Sequence, residues 1–162
     1  MVWLKSVFYS LTALAILQVV YYYPQLPDVV ASHFDGPGAA DGWSGKDAFF
    51  ALYLAIVALL AGIFEWLPKW IQSRPGKQLK IPNRDYWLAP ERSAATRAFF
   101  RRQLMLMGIA NLGLVIFAVQ LAILANFEQP PRLHASIAWA LAAYCGLLAA
   151  WTIHFLLRFK KP

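Results

Sequence analysis

Residues 48–67 read AFFALYLAIVALLAGIFEWL, a stretch in which Glu65 is the single charged side chain. About 20 mostly apolar residues in a helix cross the hydrocarbon core of a bilayer, which is about 30 Å thick. Within hydrocarbon the backbone has no water to bond, so such a segment must be helical. The stretch therefore predicts a membrane-spanning helix, closed by Pro68.

Three further stretches meet the same criterion of length and polarity. Of the 162 residues, 60% are apolar and 14% are charged, against about 45–50% and about 25% in an ordinary soluble domain. A soluble core of this size would leave much of that apolar surface in water. The sequence therefore predicts an all-α integral membrane protein, a single membrane domain over residues 1–162 built as a bundle of four transmembrane helices. The predicted spans are about 6–23, 48–67, 99–127 and 135–157.

Lysine and arginine are distributed unevenly about these spans. Of the 15 basic residues, Lys46 and Arg132 fall on one side and the rest on the other. Cytoplasmic loops carry the basic excess in membrane proteins. The pattern predicts cytoplasmic N- and C-termini, a basic cytoplasmic loop at 68–98 and an outer loop at 24–47. Insertion then accounts for the net charge of +7, and nucleic-acid binding is not predicted.

Small residues recur every three or four positions in three of the spans. Helices in lipid associate by close backbone approach and by polar contacts, so these faces are predicted to pack together in a compact bundle. They comprise Ala51, Ala55, Ala58 and Gly62 in the second span, Gly108, Asn111, Val115, Ala118, Ala122 and Ala125 in the third, and Ala138, Ala142, Gly146 and Ala150 in the fourth.

Polar residues within the spans are the intramembrane candidates. Glu65, Asn111 and His154 fall on these faces or continue them, and an ionisable group inside a membrane is a functional candidate by default. The similar depth of Glu65 and His154 allows a pair, either structural or active in proton or ligand binding. Asn111 and Gln120 are predicted to form hydrogen bonds between helices.

The outer loop holds the candidate binding residues. Residues 29–34 suit a short extended segment, and the glycines and proline of 36–38 require a turn. His33, Asp35, Asp41 and Trp43 are interpreted either as ordered packing over the bundle or as a surface for an external ligand or partner. A divalent metal held by His33 and neighbouring aspartates, Asp28 included, is a third interpretation, but aspartate beside glycine is also what turns require, and no metal ligand is assigned.

The inner loop contains a helix start, because Pro90 in Ala89-Pro90-Glu91 suits a first helical position. From Pro90 the helical pattern continues without a break into the third span. Its basic residues are predicted to meet anionic headgroups and its aromatic residues to anchor the loop, with docking of a cytoplasmic partner as the alternative. The candidate interface residues are Arg84, Tyr86, Trp87, Arg101 and Arg102.

The outer-loop residues resemble a known family. Leu26-Pro27, His33-Phe34, Gly38, Asp41-Gly42-Trp43 and Lys46 are similar to the DUF1648 domain, which also forms the N-terminal part of SdpI-type immunity proteins of bacteria. The segment Ile81-Pro-Asn-Arg-Asp-Tyr-Trp-Leu-Ala-Pro-Glu-Arg92 resembles short, stand-alone DUF1648 proteins. The resemblance implies a bacterial cytoplasmic (inner) membrane location. SdpI-type proteins protect against a secreted toxic peptide, and some sequester a cytoplasmic repressor.

These patterns predict a protein that acts by binding and not by catalysis, without a cofactor, since no nucleophile–base pair or phosphate loop is present. Immunity-like or receptor-like recognition of an external peptide or signal is the first hypothesis. An accessory or scaffolding subunit of a larger membrane complex is the alternative. A proton-linked small transporter, resting on Glu65 and His154, is the third.

Overall fold

Helices dominate the computed structural model, which describes residues 2–74 and 81–160. Four of them are long and apolar enough to cross a membrane, which confirms that part of the prediction and indicates a multi-pass membrane protein. The elements are α1 (Val2–Tyr22), a 3-10 turn (Tyr23–Gln25), β1 (Val29–Phe34), β2 (Ala40–Gly45), α2 (Lys46–Ser73), α3 (Arg84–Trp87), α4 (Pro90–Ala125) and α5 (Ser136–Lys160).

Helix α4 is the centre of the molecule. Helices α1 and α2 pack along it and against each other, whereas α5 packs chiefly against α4. The closest approach is at Gly108, where a Cβ atom would lie 2.8 Å from Cγ of Phe64 and 2.9 Å from Cε2 of Phe8. Both phenylalanines are buried, so α1, α2 and α4 meet where α4 has no side chain.

The small-residue faces of two helices lie elsewhere than predicted. The four small residues of α2 and the four of α5 are all exposed. Helix α2 instead buries large side chains, among them Phe50, Tyr53 and Phe64. Gly108 supplies the space that the Phe64 ring needs, so α2 packs on α4 there without using its own small residues. The compact four-helix bundle is accordingly not confirmed, since the core has three helices and α5 lies on one flank.

Two helix boundaries show how proline acts in this chain. Helix α4 begins at Pro90, with proline in its first turn, as the inner-loop pattern predicts. Helix α2 does not end at Pro68 but continues through it to Ser73. Spanning helices tolerate an internal proline because neighbouring groups satisfy the freed backbone, and Pro68 is buried.

A two-stranded antiparallel hairpin forms at one end of the helical core and corrects the all-α prediction. Strand β1 confirms the predicted extended segment, and it pairs with β2 in a register that places Val30 opposite Ser44 and Ala31 opposite Trp43. The turn contains Gly38 at a φ of 91°, and a Cβ there would lie 2.7 Å from the carbonyl oxygen of Leu133. Glycine is therefore required at Gly38 by both conformation and space. We name this end of the molecule the hairpin end, and the end holding α3 the loop end.

Candidate functional site

Asn126, at the end of α4, holds the hairpin on the helical core. Its Oδ1 accepts the backbone N–H of Ala31 at 2.7 Å, and its Nδ2 donates to the Ala31 carbonyl at 3.0 Å. The same Nδ2 donates to Ala122 within α4 at 2.8 Å. Ala31 is fully buried, so one side chain satisfies both of its backbone groups along the outer edge of β1.

The connection between α4 and α5 holds the opposite edge. Ala39 and Arg132 form an isolated antiparallel bridge. The Leu133 N–H donates to the Gly38 carbonyl at 2.8 Å, and the Ala40 N–H donates to Pro131 at 3.4 Å. The start of β2 is therefore flanked by a third extended segment, and the hairpin is held along both edges.

An ion pair holds the base of the hairpin where it enters α2. Lys46 Nζ lies 2.9 Å from Oδ1 of Asp28 and 5.2 Å from the centre of the Tyr23 ring. The Tyr23 hydroxyl donates to Asp47 Oδ1 at 2.6 Å. This arrangement joins the end of α1, the hairpin and the start of α2, and it places both Asp28 and Lys46 in structural contacts.

His33, Asp41 and Trp43 lie on the hairpin surface away from the core. The His33 Nδ1 is hydrogen-bonded to Oδ1 of Asp41, with side chains 74% and 46% exposed, and Trp43 is 55% exposed. A Cβ on Gly42 would lie 2.8 Å from Cβ of His33, so Gly42 leaves room for the histidine. The surface offers an exposed imidazole, an exposed carboxylate and an exposed indole, which suits binding by hydrogen bonds and aromatic contact.

Asp35 belongs to the turn and not to this surface. Its Oδ1 accepts the backbone N–H of Ala39 at 2.6 Å, which is the bond that an aspartate forms in a turn. Of the four residues considered for a metal, the structure brings together His33 and Asp41, while Asp28 pairs with Lys46. Within residues 2–74 and 81–160, no group of three or more His, Cys, Asp or Glu side chains is placed to hold a metal ion.

Glu65 and His154 lie apart, so the pair considered from sequence does not form. Glu65 Oε1 accepts the Tyr9 hydroxyl at 2.8 Å and lies 3.3 Å from Lys69 Nζ and 3.6 Å from Lys5 Nζ. His154 is exposed on α5 with its ring 6.0 Å from that of Phe99. Similar depth in the membrane was the basis of the prediction, but depth does not specify which sides of the core two helices occupy.

The remaining intramembrane amides connect helices, as predicted. Asn111 Oδ1 accepts the Tyr144 hydroxyl of α5 at 3.0 Å. Gln120 Oε1 accepts from Gln18 Nε2 at 2.8 Å, and Gln120 Nε2 donates to the Tyr22 hydroxyl at 2.9 Å. These bonds link α4 to α5 on one side and to α1 on the other.

Gln18 was missed by the sequence interpretation, although it is the most connected polar residue of the core. It is 6% exposed, accepts the Tyr53 hydroxyl of α2 at 2.6 Å and donates to Gln120 and, at 3.4 Å, to the Ile116 carbonyl of α4. Its amide therefore connects α1, α2 and α4. The available signal was a single glutamine in a run of apolar residues, which in lipid requires a partner.

A double-mutant cycle on Gln18→Leu and Tyr53→Phe measures this connection. We expect a coupling free energy of about 0.6 kcal/mol, with an upper value of about 1.7 kcal/mol, the range found for hydrogen bonds between membrane helices. The measurement is the unfolding free energy of the two single variants and the double variant in the same detergent. Additive effects, with coupling near zero, would contradict the assigned bond.

The loop end is closed by residues of the inner loop. Asn83, at a φ of 50°, donates from Nδ2 to the carbonyls of Phe159 and Lys160 at 2.8 and 3.0 Å and so caps α5. The Trp87 ring lies 5.5 Å from that of Phe159, with the Arg158 guanidinium 4.5 Å from its centre. Trp87 therefore packs against protein, where the sequence suggested a membrane anchor.

The other interface candidates lie near this cap. Tyr86 lies beneath the Arg92 guanidinium, which is 4.0 Å from its ring centre. Arg84 pairs with the adjacent Asp85 at 2.8 Å. On α4, Arg101 is partly buried and Arg102 is exposed.

Comparison with known proteins identifies one segment of the chain. Residues 11–59 match the family model described as a domain of unknown function, DUF1648. The match contains the second half of α1, the hairpin and the first half of α2, and it includes Gln18 and Tyr53. No curated protein and no solved structure gives a significant match to the chain. The chain therefore contains a segment, residues 11–59, that matches the DUF1648 domain, and its described part carries four helices long and apolar enough to span a membrane.

Proposed function

We propose that the chain is a non-catalytic protein of the bacterial cytoplasmic membrane whose hairpin recognises an external peptide or signal. The observation that carries the proposal is the hairpin itself, which is held along both edges while His33, Asp41 and Trp43 remain exposed. A binding surface gains affinity when its groups are held in place before the ligand arrives. The outer-loop residues resemble a domain that is also found in SdpI-type immunity proteins. Those proteins protect bacteria against a secreted toxic peptide, and the resemblance supports the same class of ligand.

The charge distribution supports an outward-facing hairpin. Basic side chains concentrate at the loop end, and among the described residues the hairpin end holds Lys46 and Arg132. Lys46 is neutralised locally by Asp28. Since cytoplasmic segments carry the basic excess, the loop end would lie in the cytoplasm, together with the start of α1 and the end of α5.

Photo-cross-linking in intact bacteria tests the proposal. A photoreactive residue replaces Trp43 in the full chain, and the matched control replaces Trp139, which is 78% exposed and lies near the start of α5 but off the hairpin. We expect a peptide adduct at position 43 and lipid alone at position 139. A second variant carries the photoreactive residue at position 43 together with His33→Ala and Asp41→Ala. It should lose the peptide adduct while remaining in the membrane fraction.

Two outcomes would contradict recognition by the hairpin. One is identical adducts at positions 43 and 139, which would indicate general exposure at the interface. The other is an unchanged adduct after both substitutions, which would exclude a role for His33 and Asp41. Both substituted side chains are exposed, so effects on folding are expected to be within about 0.5 kcal/mol.

A specific observation favours a second candidate, an accessory subunit of a larger membrane complex. The small residues of α5 at positions 138, 142 and 146 are exposed, and small residues on a spanning helix permit close approach of another helix. A photoreactive residue at Gly146 would then yield a stoichiometric membrane-protein adduct, and lipid adducts alone would argue against it. Proton-linked transport, the third hypothesis, would rest on Glu65 and His154 as separate residues, because the two do not pair.

A further inference from the structure

A cavity of about 280 Å³ lies at the loop end and is separate from the hairpin surface. Its lining comes from the end of α2 and the first turns of α4: Gln72, Ala94, Arg97, Ala98 and Arg101. Ala94 and Ala98 are one turn apart, as are Arg97 and Arg101. The short side chains of Ala94 and Ala98 leave the space, and Arg97 and Arg101 line it with them.

Arg97 is held in position by the end of α2. Its Nη1 donates to the carbonyls of Ile71 at 2.6 Å and Gln72 at 3.3 Å, and its Nη2 donates to that of Arg74 at 2.8 Å. The last carbonyls of a helix lack partners within the helix, so Arg97 caps α2. These three bonds use three of the five N–H donors of the guanidinium group, and they fix its plane against the cavity.

The lining groups specify the charge of a ligand. Two guanidinium groups and a carboxamide are present, and no carboxylate is among the five lining residues. Guanidinium groups bind phosphate oxygens through paired, charge-assisted hydrogen bonds. The ligand class is therefore an anion of phosphate type.

The depth of the cavity specifies the source of that phosphate. Along α4 the arginines are followed by Gln103 and then by an apolar run, with Met105 and Gly108 already buried in the spanning core. The cavity consequently lies at the level of the headgroups. We propose that it binds the phosphate of an anionic phospholipid, with the guanidinium groups of Arg97 and Arg101 as the principal contacts.

Lipid binding to the purified full-length protein tests the site. The protein is held in an uncharged detergent and titrated with phosphatidylglycerol, with phosphatidylcholine of the same acyl chains and with inorganic phosphate, and bound lipid is counted by native mass spectrometry. We expect one retained phosphatidylglycerol, with phosphatidylcholine and inorganic phosphate failing to compete for it. Arg101→Gln should weaken its affinity about tenfold, the loss that follows from one charge-assisted contact.

Arg102→Gln is the matched control, because Arg102 is the exposed neighbour of Arg101 and does not line the cavity. A general attraction of lipid to a basic surface would weaken equally in both variants, and that result would overturn the site. Displacement by inorganic phosphate would overturn the lipid assignment in favour of a soluble anion. Ala98→Leu fills the cavity while keeping both arginines, so binding that survives this variant would also overturn the proposal.

Discussion

Replacing Gly108 by leucine is expected to destabilise the folded core strongly. A Cβ alone would lie within 3.0 Å of both Phe8 and Phe64, and both rings are buried where α1, α2 and α4 meet. Overpacking by a few methylene groups typically costs about 1–3 kcal/mol. We expect the loss in unfolding free energy to lie within that range for Gly108→Ala and to exceed about 3 kcal/mol for Gly108→Leu. The unfolding free energy of a typical protein is about 5–15 kcal/mol, so the second loss is a large part of the total.

Unfolding of the purified protein in mild detergent, followed by circular dichroism, measures both variants. Gly113→Ala is the matched control, since it lies five residues further along α4 and a Cβ there meets no atom within 4 Å. Its stability should equal that of the parent or exceed it by up to about 1 kcal/mol, because alanine favours a helix interior over glycine. Equal effects at the two glycines would mean that helix propensity, and not the contact with the rings, determines the result.

Asn126→Ala is expected to release the hairpin from the core. The substitution removes the partners of both the N–H and the carbonyl of Ala31, which is fully buried. Each buried backbone group left without a partner costs about 1–3 kcal/mol. Because the hairpin lies at one end of the helical core and can open by itself, we expect a combined loss of about 2–4 kcal/mol, concentrated in the hairpin.

Hydrogen exchange resolves that local effect. Amides of β1 should lose protection in Asn126→Ala, while those in the middle of α4 keep it, since the hairpin opens without unfolding the helices. Glu128→Gln is the control, an exposed change two residues away that is expected to leave exchange unaltered. Unchanged protection of β1 in Asn126→Ala would show that the ladder to β2 alone holds the strand.

Features that depend on neighbouring residues could be predicted from the sequence, whereas features that depend on residues far apart in the chain could not. Helix length, the start at Pro90 and the extended segment at 29–34 were predictable, because hydropathy and proline chemistry act within a few residues. The attachment of the hairpin to the core was not, since it uses Asn126 and Leu133, about 95 residues away along the chain from the groups they bind. For the same reason, the partner of Glu65 proved to be Tyr9 and not His154.

The apolar composition and its distribution along the chain were enough to predict long apolar helices suited to a membrane. The uneven distribution of lysine and arginine predicted which end faces the cytoplasm. Which faces of those helices meet depends on contacts between residues far apart in the chain. Small residues permit close packing on several faces, and sequence alone does not specify which are used. Two positions specify the faces that pack together. At Gly108, Phe8 and Phe64 fill the space, and at Gln18 the side-chain amide is hydrogen-bonded to two other helices. Both depend on residues distant along the chain, and their energies appear only once the helices are in contact.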